Sequence, residues 1–525
     1  MPETSPTGPD TDVCLILEGT YPYVSGGVST WVHQLVTSLP EVSFEIVHIG
    51  ARRSAGLKPK YQVPNNVEAM RDLFLEGDLP RSEMRRGRAT RKQRRALADA
   101  ARACLIDGAI SFKSLLLAVL EHGRGYTFHD LWSDPEMWDV FNDLYDKLMP
   151  DSPFKDFFWT ARALARPVWN ILRAADEIGT PKVFFTACTG YAGMLAAVLS
   201  EQRNTSFLLS EHGIYVRERL EEMRRAAWIN DPLPRRPELL PNFGRLKSLW
   251  MSLFCEQASM AYESADQITS LFERNADIQR EFGAPPAKIS IVPNGVSREL
   301  LERQLPPRED RRKPTVGFLG RIVEIKDVKT LLRAAAIVIR DLPNAQFLIA
   351  GPSDEEPAYY HSCTELAQSL GIGRNIHFVG TVEAGEFLSE IDVNVLSSVS
   401  EGMPFAVLEG FALGLPAVST DVGACRELIE GRSGDELGHA GIITQVREPG
   451  QLADAITRLL TSPELRAEMG AIARRRVREH YLQEDVMRCY LEAFRTIYAK
   501  RQAGRPPASA NAFANAFATT GSASI

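Results

Sequence analysis

The chain has 525 residues, a formal net charge of −7 and 44% hydrophobic residues. This length predicts roughly two or three domains with cores of their own, and the composition excludes global disorder and collagen-like or coiled-coil architectures. The mild charge argues against a nucleic-acid partner. No apolar run approaches the ~18 residues of a membrane span, the first residues lack the order of a secretory signal, and the seven cysteines are dispersed. We therefore expect a cytoplasmic protein.

Buried strands alternate with helical patterns in the first part of the chain. The sequence predicts strands at 13–17, 44–49, 183–185, 207–209, 267–270 and 289–292, and helices at 28–39, up to 199 and at 246–264. The first strand, loop, helix and second strand form one βαβ unit, for which a right-handed connection is expected.

The segment at about 71–150 departs from this alternation, and we expect it to be a helical insertion. Within it, residues 81–102 contain nine basic side chains against Glu83 and Asp99. A solvated helix face is the ordinary interpretation of such a charge run. The alternative is a docking site for an acidic partner or for anionic phospholipid head groups.

The alternation resumes after a polar, proline-rich stretch at 304–314. Strands are predicted at 315–319, 346–350, 376–379, 393–396 and 417–419, with helices ending at 339 and 370 and another starting after Pro404. The fold class is therefore α/β with two Rossmann-like domains. We expect a flexible tail at 1–11, one domain at 12–295, a second at 296–480, a C-terminal helix at 481–502 and a disordered tail at 503–525.

The stretch 397–421 is the most informative part of the chain. It runs from a strand end through a loop with Glu401 into a helix that has Pro404 near its first position. The unpaired first-turn amides and the helix dipole favour a phosphate there, and Glu409 one turn later leans back toward them. These amides belong to Phe405, Ala406 and Val407. From spacing alone, Glu401 as a helix cap and Glu409 as a surface residue remain an equal alternative.

Two cations follow the strand at 315–319, at the edge where α/β sheets bind ligands. Arg321 offers a planar fork and Lys326 a mobile point charge, a pair suited to clasping a diphosphate. An ordinary solvated turn, with Lys326 paired to Glu324 or Asp327, is the alternative.

Two shorter motifs lie in the first half of the chain. Gly26 and Gly27, followed by Val28, allow close approach of a ligand and permit positive φ, but they form neither a P-loop nor a dinucleotide-binding motif. His212 follows the strand at 207–209 and could hydrogen-bond a substrate hydroxyl, although a lone histidine is more often structural. The Asp-x-Asp at residues 10–12 precedes the first strand, so we interpret it as chance and expect no metal site.

Together these clusters resemble the retaining glycosyltransferases of family 4, which have the GT-B fold. The resemblance covers residues 12 to about 500 apart from the insertion. It is carried by residues 26–28, 292–295, Gly320-Arg321 with Lys326, and above all Glu401-x7-Glu409. Asp327 departs from the family pattern, in which glycine commonly follows the lysine.

The resemblance implies a role for each candidate residue. Glu401 would contact the hydroxyls of the donor sugar, Glu409 the ribose, and His212 the region of the sugar C6 hydroxyl. Arg321 and Lys326 would hold the diphosphate and stabilise its growing charge in place of a metal. The remaining donor-binding residues are Gly26, Gly27, Val28, Phe405, Ala406 and Val407.

The implied function is a metal-independent, retaining hexosyl transfer from a UDP-sugar, with no cofactor. A narrower resemblance at residues 17–32 and 211–215, to transferases of Pel exopolysaccharide synthesis, implies a growing polysaccharide acceptor and an inner-membrane synthase complex as partners. One alternative is an enzyme like UDP-GlcNAc 2-epimerase, which would form ManNAc without an acceptor. Another is a non-catalytic scaffold, against which the charged crevice argues.

Overall fold

The computed structural model of the protein describes residues 11–53, 57–77, 89–150, 153–229, 244–303 and 313–504. Within these residues the chain forms two parallel β-sheets flanked by helices. The first sheet contains β1 (Val13–Glu18), β2 (Phe44–Gly50), β3 (Val67–Phe74), β4 (Val183–Thr186), β5 (Ser206–Glu211), β6 (Gln267–Ser270) and β7 (Ile289–Ile291). The second contains β8 (Thr315–Leu319), β9 (Gln346–Ala350), β10 (Ile376–Gly380), β11 (Val393–Leu396), β12 (Ala417–Thr420) and β13 (Gly441–Thr444).

The strand order of both sheets is that of a Rossmann-like unit. The orders are β3-β2-β1-β4-β5-β6-β7 and β10-β9-β8-β11-β12-β13, and every pair of neighbouring strands is parallel. Chain order reverses between β1 and β4 and again between β8 and β11, so the loops after these strands line the crevice where such sheets bind ligands. The predicted α/β fold with two Rossmann-like units is confirmed.

Helices connect the strands and cover the faces of the sheets. Those before the second sheet are α1 (Gly27–Ser38), α2 (Arg91–Leu105), α3 (Phe112–His122), α4 (Phe128–Ser133), α5 (Pro135–Leu148), α6 (Phe154–Ala174), α7 (Tyr191–Gln202), α8 (Tyr215–Arg225), α9 (Arg245–Ser264), α10 (Glu273–Glu281) and α11 (Arg298–Glu302). Those that follow are α12 (Val328–Asp341), α13 (Pro357–Ser369), α14 (Ala384–Ser389), α15 (Phe405–Ala412), α16 (Cys425–Glu430), α17 (Pro449–Thr461), α18 (Pro463–His480) and α19 (Gln483–Ala503).

The central strands are apolar because both of their faces are covered. Leu15 and Ile16 of β1 are fully buried and belong to the cores on opposite faces of the first sheet. In α12, apolar residues recur at helical spacing, and Leu331, Ala335 and Val338 pack into the core of the second sheet. Removal of such apolar surface from water, at about 25 cal/mol per Å², is the main stabilising contribution to each unit.

The helical insertion begins and ends later than the predicted 71–150. Strand β3 runs to Phe74, and the helices that separate it from β4 extend from α2 to the end of α6 at Ala174. The strand was missed because it lies at the edge of the sheet, where alternate residues such as Glu68 and Asp72 are exposed. Its polar residues weaken the continuous apolar signal of a central strand.

The basic run at 81–102 is only partly within the described residues, since 78–88 lie outside them. In the described part, Arg94 pairs with Asp134 and Arg102 with Asp143, at 3.6 and 2.5 Å. These two arginines therefore bind the helices of the insertion to one another. The predicted tails at 1–11 and 503–525 also lie almost wholly outside the description, although Thr11 is buried.

The C-terminal helix α19 packs on the first sheet, not the second. The Tyr490 ring lies 5.0 Å from that of Trp31, and its hydroxyl is 2.8 Å from Ser210 Oγ. The chain therefore crosses between the two units twice. The two crossings run side by side: Val296 N–H donates to the Tyr481 carbonyl at 3.0 Å, and Gln483 N–H donates to that of Val296 at 2.9 Å.

Candidate functional site

The two units approach each other closely at the carboxyl ends of their strands. Gly402, in the loop after β11, lies against His212, in the loop after β5. A Cβ on Gly402 would lie 2.7 Å from the His212 carbonyl oxygen, so a larger residue would force the loops apart. Asn294, which follows β7, joins the same region through a 2.9 Å hydrogen bond from its side-chain amide to the Met403 carbonyl. The predicted residues His212 and Glu401 are thereby brought to one crevice.

Lys326 and Glu401 form an ion pair that joins the loops after β8 and β11. Lys326 Nζ lies 2.5 Å from Glu401 Oε1, and the side chains are only 17% and 11% exposed. Ser398 Oγ donates to the same carboxylate oxygen. This arrangement excludes both alternatives for these residues, because Lys326 does not pair with Glu324 or Asp327 and Glu401 does not cap α15. An ammonium group has three donors, so two remain for a ligand.

Backbone hydrogen bonds hold the same two loops together. Val399 N–H donates to the Ile325 carbonyl at 2.8 Å, and Ser397 Oγ donates to the Lys326 carbonyl at 2.9 Å. The position of the Lys326 ammonium is thus fixed from both its main chain and its side chain. Such positioning before a ligand arrives is what electrostatic stabilisation of a leaving group requires.

Asp327, which stands where the family pattern commonly has glycine, adopts the backbone conformation that a glycine would adopt. Its φ of 45° and ψ of 50° are left-handed, the conformation in which glycine is commonest. Aspartate is one of the few other residues that adopt it readily, and here its side chain caps α12. Its carboxylate accepts from Thr330 N–H and Thr330 Oγ at 3.3 and 2.7 Å. Aspartate in place of glycine therefore preserves the turn that positions Lys326.

The start of α15 offers fewer free donors than predicted. Pro404 is the N-cap and not the first helical residue, and no side chain caps the helix. Val407 N–H donates to the Pro404 carbonyl at 3.2 Å, so the prediction of a free Val407 amide is wrong. The amides of Phe405 and Ala406 have no acceptor within the described residues. Two donors, together with the helix dipole, are therefore available to an anion.

Glu409 carries a carboxyl group that makes no side-chain hydrogen bond or ion pair within the described part of the chain. Burial, with a smaller contribution from the negative charge of Glu383, raises the pKa of Glu409 to about 7. A partly buried carboxylate without a donor is costly, and a ligand hydroxyl would supply one. The position one turn into α15 matches the prediction from spacing.

Arg321 is less constrained than Lys326. Its Nη1 lies 2.6 Å from both carboxylate oxygens of Glu355, and the two side chains are 40% and 52% exposed. Glu355 follows β9 and was not singled out from the sequence, because a lone acidic residue in a loop gives no specific signal. The three N–H donors on Nε and Nη2 of the guanidinium make no contact with Glu355 and remain for a ligand.

The glycine loop provides space but not an unusual backbone. Gly26 is extended, with φ of 162°, so the positive φ that a glycine permits is not used at that residue. A Cβ at Gly26 or Gly27 would meet nothing within 4 Å. Within the described residues, the amides of Gly27 and Val28 at the start of α1 have no acceptor. The loop therefore offers clearance and two donors.

His212 is neutral and buried at the edge of the first sheet. Burial lowers its pKa to about 3, and the edge-on ring contact with Trp31 has a centroid distance of 4.4 Å. Its Nε2 is buried without a hydrogen-bond partner within the described residues. The structure thus places a polar ring atom without a partner next to the Gly402 loop.

Two buried carboxyl groups at the carboxyl edge of the first sheet were not identified as site residues from the sequence. Glu211 accepts from Tyr262 OH at 2.6 Å and Gln279 Nε2 at 3.0 Å, among other donors. Glu18 accepts from Tyr215 OH at 2.8 Å. Burial raises the pKa of both carboxyl groups. The available signals were their positions as the last residues of β5 and β1, inside the stretches 17–32 and 211–215 that carry the narrower resemblance.

Asp12, the second aspartate of the Asp-x-Asp before β1, lies away from the crevice. Asp12 pairs with Lys182 at 2.6 Å and accepts from Ser43 N–H at 3.0 Å, at the opposite end of the strand. Asp10 lies outside the described residues. No group of three or more His, Cys, Asp or Glu side chains in the described part of the chain is arranged to hold a metal ion.

The two facing parallel sheets define the GT-B class of fold. The fold is similar to that of sucrose-phosphate synthase from Thermosynechococcus elongatus, with a TM-score of 0.58 and 15% identity over 93% of this chain and 99% of that one. It is also similar to Anabaena HepE in complex with UDP and glucose, with a TM-score of 0.56 and 12% identity over 93% and 100%.

The chain belongs to the family described as "Domain of unknown function (DUF3492)", whose match covers residues 11–287, just over half of the sequence. Residues 313–462 match the family described as "Glycosyl transferases group 1". A curated relative, the D-inositol 3-phosphate glycosyltransferase of Rhodococcus erythropolis, is 30% identical over 43% of this chain and 52% of its own length. The chain thus spans about half the length of the curated relatives it matches. No helix in the described residues is both long and apolar enough to cross a membrane.

Proposed function

We propose that the protein is a retaining hexosyltransferase that takes its sugar from a UDP-sugar without a metal ion. The observation that carries this proposal is the convergence of Lys326, Glu401 and two free amides of α15 at the carboxyl edge of the second sheet. These groups are suited to a sugar diphosphate. The similarity in fold to HepE, solved with UDP and glucose, supports uridine as the nucleoside.

In the proposed reaction, charge develops on the departing diphosphate as the glycosidic bond to the anomeric carbon breaks. Lys326, Arg321 and the amides of Phe405 and Ala406 would stabilise that charge. These groups would supply the positive charge that a divalent ion supplies in other transferases. The acceptor hydroxyl would attack from the face that the diphosphate leaves, which retains the anomeric configuration and needs no carboxylate nucleophile.

The other site residues would orient the donor. Glu409 would accept from the ribose hydroxyls, and Glu401, already held by Lys326, from the hydroxyls of the sugar. His212 Nε2 would face the sugar C6 hydroxyl, which gives that buried nitrogen a partner. The glycine loop Gly26-Gly27-Val28 would lie along the diphosphate, where the absence of side chains permits close approach.

We also propose an acceptor and a cellular place for this reaction. Residues 17–32 and 211–215 are similar to PelF, the transferase of Pel exopolysaccharide assembly in biofilm-forming bacteria. The acceptor would then be a growing polysaccharide, and the enzyme would act in the cytoplasm beside an inner-membrane synthase complex.

Replacement of Arg91 and Lys92 by glutamate should weaken salt-sensitive co-sedimentation with membranes that contain the complex. Equal pelleting of both proteins would contradict docking through this run.

The test of the catalytic proposal is release of UDP from a panel of UDP-sugars, with and without oligosaccharide acceptors. Proton NMR of the product should show the anomeric configuration of the donor. Formation of ManNAc from UDP-GlcNAc without an acceptor would instead identify an epimerase. Binding of UDP without turnover of any donor in the panel would favour the scaffold.

A further inference from the structure

A cavity of about 400 Å³ opens on the second unit, beside the first turns of α12 and α17. Three basic side chains line it: Lys329 and Arg333 on α12, and Arg447 in the loop before α17. Tyr359 of α13 contributes an aromatic wall, with Lys329 Nζ 4.9 Å from its ring centroid. The volume is in the range of small-molecule sites, roughly 300–1,000 Å³.

The cavity is separate from the proposed donor site. Its lining includes Val399 and Glu324, which belong to the same two loops as Glu401 and Lys326. The Lys326 ammonium engages Glu401 and is absent from the lining of the cavity. One pair of hydrogen-bonded loops therefore stands between two cationic sites.

Two of the three basic side chains in the cavity have no acidic partner within the described residues. Arg333 and Arg447 are exposed and make no ion pair within the described residues. The carboxylate of Asp327, by contrast, is engaged in capping Thr330. Arg447 has a φ of 61°, a left-handed conformation that is uncommon for residues other than glycine, asparagine and aspartate. Such backbone strain is found disproportionately at binding sites.

We propose that this cavity binds a small phosphate ester that also carries hydroxyl groups. The guanidinium groups of Arg333 and Arg447 and the ammonium group of Lys329 are suited to a phosphate, which planar donor forks bind with two parallel hydrogen bonds. The Glu324 carboxylate would repel a bare phosphate but would accept hydrogen bonds from hydroxyls. The Tyr359 ring offers a flat apolar surface to the rest of the ligand.

The test is calorimetry of the full chain with glucose 1-phosphate, first without UDP and then in saturating UDP, so that the donor site is filled. We expect one bound molecule per chain. The double variant Arg333→Ala/Arg447→Ala should weaken binding at least tenfold, and each single variant by a smaller factor. Arg340→Ala, an exposed arginine on the same helix that pairs with Asp341, is the matched control and should bind as wild type does. Inorganic phosphate should bind more weakly, and glucose should not bind detectably.

Equal affinity in the wild type and the folded double variant would overturn the proposal, as would an equal loss in Arg340→Ala. Circular dichroism establishes folding, and the single variant Arg447→Ala, on a loop, serves if the double variant fails to fold. The titration without UDP keeps this proposal distinct from the proposed function. The protein could fail to bind UDP and still bind glucose 1-phosphate in a way that depends on Arg447. That result would contradict only the assignment of the donor site.

Discussion

The carboxyl edges of the two sheets carry different kinds of polar side chain. At the first sheet, Glu211 and Glu18 are carboxyl groups with raised pKa values that accept from neutral donors, and His212 is neutral. At the second sheet, Lys326 and Arg321 form ion pairs that leave donors free. Under the proposed function, this difference would divide the work, with the anionic leaving group at the second sheet and neutral hydroxyls at the first.

The largest effect on stability is expected at the first sheet. Glu211→Ala would leave Tyr262 OH and Gln279 Nε2 buried without their acceptor, which should lower the free energy of unfolding by about 3 kcal/mol. Glu211→Gln keeps one acceptor oxygen and should cost less. Urea denaturation followed by circular dichroism measures both, with Glu222→Ala as the exposed control. Equal losses in Glu211→Ala and the control would contradict a structural role for this carboxyl group.

The largest effect on ligand binding is expected at the second sheet. In the proposed donor site, Lys326→Ala would remove a charge-assisted hydrogen bond to the diphosphate, worth about 1.5–3 kcal/mol, so UDP affinity should fall ~10- to 100-fold. Lys313→Ala is the matched control, because that exposed lysine lies at the opposite end of β8. Calorimetric titration with UDP decides the point. Unchanged affinity in the folded Lys326 variant would remove this residue from the donor site.

The raised pKa of Glu409 leads us to expect that UDP affinity depends on pH. Burial raises its pKa to about 7 in the folded protein, above the usual 4.5, so the carboxyl group stabilises the fold at low pH and this contribution is lost as pH rises through 7. A ribose that donates to the carboxylate favours the ionised form. UDP affinity should therefore rise between pH 6 and pH 8, by up to ~10-fold.

Glu409→Gln is the control for that prediction, since the amide does not titrate. The terminal phosphate of UDP also ionises, with a pKa of about 6 by analogy with phosphate monoesters, and it contributes equally in both proteins. The wild type should bind UDP with a steeper pH dependence than the variant. Parallel pH profiles would show that Glu409 does not sense the nucleotide.

The smallest effect is expected for the pair of Arg321 and Glu355. Because both side chains are substantially exposed, Glu355→Ala should change stability by less than about 1 kcal/mol. The freed guanidinium should bind UDP slightly more tightly, by about twofold. A fluorescence titration at low and high salt measures this. A large loss of affinity would show that Glu355 positions Arg321.

The strands and the chain positions of the site were predictable from sequence, because buried parallel strands give continuous apolar runs. Strands β6, β8, β9 and β11 begin and end at the predicted residues. Glu401 and Lys326, 75 residues apart, could each be assigned to a strand end. Their direct pairing could not be assigned, since local spacing does not show which loop a lysine will reach.

Other features depend on tertiary context. Strands β3 and β13 were not predicted because each lies at an edge of its sheet, where part of the strand is exposed to solvent and the apolar run is weaker. The amphipathic pattern of α19 indicated a helix but not its place on the first sheet. The Val407 amide was predicted free, whereas the tight first turn of α15 gives it an acceptor.

The central claim is that the second sheet binds a nucleoside diphosphate through its own cations and amides. Calorimetric titration of the full chain with UDP, in excess EDTA and in excess magnesium, tests it most directly. We expect saturable binding of one UDP per chain with the same affinity in both conditions. Absence of UDP binding, or binding that EDTA abolishes, would contradict it.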